Sequence, residues 1–130
     1  MISVADIAAF HEKFGLAYTG GPRELPASLA FFRAQFLVEE LNEYTEGLKS
    51  GDLEQQLDAL VDLVYVAIGT AYLQGFDFDE AWRRVHAANM AKIRTMRAAD
   101  SKRGSTWDVV KPEGWQPPDL SDLVDTREAA

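Results

Sequence analysis

Apolar residues recur at helical spacing in four stretches of this chain, and each stretch carries its own start and stop signals. Ser3, with Asp6 three residues on, predicts a capping box opening a short amphipathic helix through Ile7, Phe10 and Phe14 to Gly15. The breaker-rich Thr19-Gly-Gly-Pro-Arg-Glu-Leu-Pro26 predicts a loop. A long helix follows from about Ser28 to Lys49 and stops at Ser50-Gly51. Asp52, with Gln55 reaching back, caps a third helix that continues to Gln74 and ends at Gly75. Asp77 and Glu80 open a fourth through Trp82, Val85, Ala88 and Ala91. Beyond about Ala98 the periodicity fades, and the prolines of Lys111-Pro-Glu-Gly-Trp115-Gln-Pro-Pro118 rule out regular helix there. No β-pattern of useful length appears. The expectation is an all-α fold, a four-helix bundle core with an extended C-terminal tail packed by Trp107 and Trp115. Residues 1–120 form one domain and 121–130 a short acidic tail.

Composition narrows the function classes. A chain of 130 residues, 47% hydrophobic and 26% charged, suits one soluble globular core. The most apolar run, Leu57 to Leu73, is short for a membrane span and interrupted by two aspartates. The N-terminus has neither the basic region nor the apolar core of a signal peptide, so the expectation is a cytoplasmic protein with no membrane partner. With no cysteine there is no disulfide framework, thiol nucleophile or Cys-type zinc site. The net charge of −8 argues against binding a nucleic acid polymer.

The second and third helices carry the candidate chemistry. At about 100° per residue, Glu39, Glu40 and Glu43 lie within about 100° of one another, and Asp58 and Asp62 within about 40°. No basic residue stands three or four positions from the glutamates, so their repulsion is not cancelled within the helix. From Leu57 to Leu73 the only charged residues are Asp58 and Asp62, in a run apolar on all sides, which predicts a buried helix. Buried carboxylates need a counter-charge, and a divalent cation shared between the two helices would supply it. The competing readings are a solvated glutamate face and aspartates satisfied by Arg33 or another base. A di-iron carboxylate bundle fits poorly, because Ala8 and Arg83 stand three residues before His11 and His86 where glutamate is required. An all-oxygen ligand set favours Mg²⁺ or Mn²⁺.

Charge is also divided along the chain. Between Phe36 and Glu80 there are 11 acids and one base, Lys49, whereas between Arg83 and Lys111 there are eight bases and two acids. An acidic, cation-binding half and a cationic half suit a phosphate ligand chelated to metal. The alternative is that the halves attract each other across a helix or subunit interface.

These residues form an ordered set: Phe10-His11 with Gly15, Glu39-Glu40-x-x-Glu43, Asp58-x-x-x-Asp62-Leu-Val-Tyr65 with Gly69-Thr70-Ala71, Val85-His86-x-x-Asn89-x-x-Lys92, and Lys111-Pro-x-Gly-Trp115-x-Pro-Pro118. The set resembles the all-α nucleoside triphosphate pyrophosphohydrolases, and within them the short stand-alone MazG-like proteins often grouped with phosphoribosyl-ATP pyrophosphohydrolase. The resemblance spans about Ile7 to Leu120. It implies a four-helix core assembled as a homodimer or homotetramer, with Mg²⁺ held by the acidic helices, Mn²⁺ as a substitute, and a nucleoside triphosphate substrate cleaved between the α- and β-phosphates. One position departs from the pattern. The family's second motif is usually ExxD, and if Asp62 matches its aspartate, Ala59 fills the glutamate position. Asp58, one residue earlier on the same face, then stands in for it.

On this reading Glu39, Glu40, Glu43, Asp58 and Asp62 are the metal ligands. Glu39 or Glu43 serves catalysis, Glu39 either completing a second metal site or acting as the base toward the attacking water. Lys92 holds the distal phosphates, helped by Arg97, Lys102 and Lys111, while Asn89 bonds a phosphate or sugar oxygen. His11 and Trp115 are candidates for the base pocket. Candidate substrates are dGTP, dUTP and dCTP, in nucleotide-pool control. The alternatives are phosphoribosyl-ATP as the substrate, or a helical oligomerisation or regulatory module without catalysis.

Overall fold

A computed structural model describes residues 3–126. The described chain divides into two compact units, residues 3–78 with 123–126, and residues 79–122. Four α-helices account for most of it: α1 (Val4–Lys13), α2 (Ala27–Ser50), α3 (Leu53–Leu73) and α4 (Phe78–Met90). The all-α expectation holds.

In the first unit, α2 and α3 form an antiparallel hairpin and α1 packs on α3. Gly51, left-handed at φ 69°, ends α2, and Asp52 starts α3 by accepting from the Gln55 N–H at 3.0 Å. The Gln55 side chain does not reach back as the sequence suggested. It donates to the Glu43 carbonyl at 3.1 Å and ties the two helices together. Ser3 caps α1 through the Ala5 N–H at 3.1 Å. The loop before α2 fastens the far end of α3: the Arg23 guanidinium donates to the Leu73 carbonyl at 2.8 Å and lies 3.7 Å from the Tyr18 ring centroid.

The buried apolar residues Ile7, Ala59, Val66, Ile68, Ala71 and Leu73 form a narrow stripe, almost all of it on α3. The other sides of α3 are open, with Leu53, Leu57, Leu60, Val61 and Val64 exposed. This corrects the expectation of a helix buried all round: α1 and α2 cover only one side of it. On α2, Phe31, Phe32, Val38, Leu41 and Leu48 are likewise exposed. By length and composition alone α3 is apolar enough to cross a membrane, as the core helix of a soluble protein also can be.

In the second unit α4 leads into two residue pairs of antiparallel sheet, β1 (Ile93–Arg94) with β2 (Val109–Val110), Ile93 opposite Val110. The pairing closes the loop between them, and the Thr95 N–H donates to the Asp108 carbonyl at 2.9 Å. Residues 111–120 contain no helix or strand, as the prolines require, but they are not uniformly extended: a turn occupies 113–114. Trp115 packs the tail by donating from its indole N–H to the Ala88 carbonyl at 2.8 Å. Trp107 does not pack: it is 94% exposed.

Candidate active site

Three positions on α2 are buried, Arg33, Glu40 and Gly47, each seven residues after the last. Seven residues are close to two full turns, so the three form one line along the helix, and that line faces α3. Glu40 is 6% exposed, and its Oε2 has no hydrogen-bond partner among the described residues. Burial, reinforced by the charges of Glu43, Asp62 and Glu39 and by a side-chain hydrogen bond with Glu43, pushes the Glu40 carboxyl up to about 7. Asp62, across on α3, is also raised, first by burial and then by Asp58 and Glu43. The hairpin therefore gathers the five predicted carboxylates into one interacting group.

The group is concentrated but not closed. Glu39, Glu43 and Asp58 are exposed, and among the described residues no three acidic or imidazole side chains converge closely enough to hold an ion as they stand. No cation offsets them either, since none of the five is ion-paired among the described residues. Arg33, the alternative partner for the aspartates, is spent elsewhere. Its Nη2 donates to the Val66 carbonyl at 2.9 Å and its Nε to Thr70 Oγ1 at 3.0 Å. The orphaned buried oxygen and the uncompensated repulsion fit a hard divalent cation, which takes carboxylate oxygens and cancels their charge. Ala59 is 1% exposed, so a carboxylate there would enter the core, whereas the neighbouring Asp58 reaches solvent beside Asp62.

The second unit collects part of the predicted phosphate-binding set. The Lys92 ammonium lies 5.3 Å and the Lys111 ammonium 5.0 Å from the Trp115 ring centroid. Their spacing has a local cause at each end. The Lys92 N–H donates to the Asn89 carbonyl at 3.1 Å, so Asn-x-x-Lys is the turn that ends α4. The Trp115 N–H donates to the Pro112 carbonyl at 3.1 Å, so Lys-Pro-x-Gly-Trp is a turn that folds Lys111 beside the indole. Asn89 is exposed next to this pair, and Lys102 is exposed on the β1–β2 loop. Arg97 is held by both oxygens of Asp100, at 3.0 and 3.1 Å.

His11 belongs to the first unit, away from solvent. It is 2% exposed, its Nδ1 lies 2.8 Å from the Ile7 carbonyl oxygen, and its ring centroid is 4.6 Å from that of Tyr72. These are the contacts of a packed side chain.

Arg33 makes a polar contact with the Val66 carbonyl and Thr70 Oγ1, over Gly69, that spacing on α3 does not predict. The readable signal is on α2, where Arg33 stands on the same helical line as Glu40 and Gly47.

The family model for phosphoribosyl-ATP pyrophosphohydrolase matches residues 7–89, more than half of the chain. The matched segment begins in α1, contains all five carboxylates and ends at Asn89, before Lys92, Lys111 and Trp115. No curated protein matches. The chain belongs to the phosphoribosyl-ATP pyrophosphohydrolase family, within the all-α nucleoside triphosphate pyrophosphohydrolase superfamily that includes the MazG-like proteins. Its class of activity is pyrophosphohydrolysis of a nucleotide, a hydrolase reaction at a phosphoanhydride.

Proposed function

We propose, on the premise that the chain is a nucleotide pyrophosphohydrolase, that it hydrolyses the α–β phosphoanhydride of a nucleoside or deoxynucleoside triphosphate to the monophosphate and pyrophosphate, with Mg²⁺ as cofactor. The observation that carries this reading is the buried, unpartnered Glu40 Oε2 among the charges of Glu39, Glu43 and Asp62. Glu40, Glu43, Asp58 and Asp62 would hold the metal, with Glu39 beside them. Bound there, Mg²⁺ supplies charge neutralisation for the polyphosphate and lowers the proton affinity of water. The protein's own part is positioning. Exposed Glu39 or Glu43 takes the proton from the attacking water as its oxygen bonds to the α-phosphorus and the bridging oxygen to the β-phosphorus departs. The second unit by itself offers the Lys92 and Lys111 ammoniums as donors for phosphates, and the Trp115 ring beside both as a stacking face for a base.

The exposed apolar faces of α2 and α3 support a homodimer or homotetramer, in which a second copy covers Phe31, Leu57, Leu60 and Val64. The candidate substrates are dGTP, dUTP and dCTP. Phosphoribosyl-ATP is the second reading, supported by the name of the matching family.

The test is a panel of ribo- and deoxynucleoside triphosphates and phosphoribosyl-ATP, incubated with and without Mg²⁺ or Mn²⁺, with products resolved by chromatography. Metal-dependent monophosphate and pyrophosphate from a deoxynucleotide is the expected result. Turnover of phosphoribosyl-ATP alone would select the second reading. A folded protein that turns over nothing and binds no metal would instead be a helical module without catalysis.

A further inference from the structure

We propose that Arg33 is a positioning residue whose guanidinium fixes the register in which the carboxylates of α2 meet those of α3. The inference rests on the metal-site reading above. Arg33 is a buried cation with no carboxylate partner among the described residues, and burial lowers its pKa. A leucine or methionine at this position would pack against α3 without that desolvation cost, so the charge needs a reason to be there.

The reason lies in what else holds the two helices together. The buried positions of α2 are an arginine, a glutamate and a glycine, with no large apolar side chain among them to lock into α3. Register is set by two polar clasps instead. Near the hairpin turn, Gln56 Nε2 donates to the Gly47 carbonyl and Gln55 Nε2 to the Glu43 carbonyl, both at 3.1 Å. At the other end Arg33 grips the Val66 carbonyl and Thr70 Oγ1, and Thr70 Oγ1 itself donates to Val66 at 2.8 Å. Glu40 stands midway between the clasps on α2, and Asp58 and Asp62 stand between Gln56 and Val66 on α3.

The carboxylates repel one another and would push the helices apart or along each other unless both ends are fastened. Gly69 completes the second clasp, because a Cβ there would lie 2.6 Å from Arg33 Nη2. The planar guanidinium reaches two acceptors in one fixed geometry, which a lysine ammonium on a flexible stem does not reproduce.

The test uses the full chain and Mn²⁺ alone, with free Mn²⁺ followed by electron paramagnetic resonance and folding by circular dichroism. R33K and G69A are expected to stay helical and to bind Mn²⁺ about 10-fold or more weakly, the usual size of an outer-shell effect. The Mg²⁺ concentration for half-maximal turnover should rise in parallel, with a smaller change in KM for nucleotide at saturating Mg²⁺. If R33K does not fold, T70V, which keeps the charge and removes one acceptor, is judged by the same criterion. Variants that melt at lower temperature but bind Mn²⁺ like the wild type overturn the proposal, since Arg33 then only stabilises the fold. A wild-type protein that binds no Mn²⁺ overturns the metal-site reading itself, and this proposal with it.

Discussion

The carboxylate cluster of the α2–α3 hairpin and the acids of residues 79–122 stand in opposite surroundings. In the unit of residues 79–122, Glu80 is held by Arg83 and Arg84, Asp122 by Arg84, Asp100 by Arg97 and Asp108 by Arg103 and Ser101. Those hydrogen bonds hold the Glu80 and Asp108 carboxyls down at about 2. On the hairpin, burial and mutual repulsion push Glu40 and Asp62 the other way. Satisfied acids shape a surface, while the acids gathered without a counter-charge are where the proposed cation would bind. The contrast is sharper than the total charge, which sums over both.

The comparison breaks most visibly at Glu43. Glu43→Gln keeps the helix, since glutamine has similar propensity, but removes a proposed metal ligand and one source of the raised Glu40 pKa. Turnover at saturating substrate should fall by at least ~100-fold, with the circular dichroism spectrum unchanged. Normal turnover by this variant would remove the acidic hairpin from the chemistry.

Next in size is a pH effect of opposite sign in the two units. Folded Glu40 binds its proton more tightly than the unfolded chain does, so without divalent cation stability falls as pH rises from about 4.5 to about 7. Mg²⁺ should flatten that part of the melting profile. Glu80 and Asp108 act the other way: their stabilisation is present at neutral pH and is lost as pH falls through about 4 toward about 2. Melting temperature against pH, with and without Mg²⁺, resolves both limbs. A profile unmoved by Mg²⁺ would count against metal at the hairpin.

Smaller effects are expected from the lysines around Trp115. Lys92→Ala and Lys111→Ala each remove one ammonium and should raise KM for a triphosphate about 10-fold, the size of one charge-assisted hydrogen bond. Steady-state kinetics at saturating Mg²⁺ measures this, and unchanged KM in both variants would place the phosphates elsewhere. The smallest effect belongs to Trp107. With its ring exposed, Trp107→Ala should alter stability by no more than about 0.5 kcal/mol.

Much of the architecture was legible from local signals. Ser3, Gly51, Asp52 and Gly75 mark helix ends that depend only on nearby residues, and all four fell within a residue or two of the observed ends. The gathering of the carboxylates was legible too, because a two-residue link forces α2 and α3 to lie side by side. What escaped depends on partners distant in sequence. The exposed side of α3 followed from how little of it α1 and α2 cover, which an apolar run cannot reveal. Trp107 is exposed rather than packed, and the sheet that follows it, two residue pairs long, is too short to leave a period-two pattern. Arg33 read as a possible partner for the aspartates, yet its acceptors are a backbone carbonyl and a threonine, and carbonyl acceptors have no sequence signature.

One measurement bears on the central claim most directly: phosphorus NMR of a turned-over triphosphate while Mg²⁺ is titrated into wild type and Glu43→Gln side by side. Monophosphate and pyrophosphate appearing only in the wild type, and only with the metal, is the predicted result. Turnover without metal, orthophosphate as the product, or equal rates in the two proteins would contradict it.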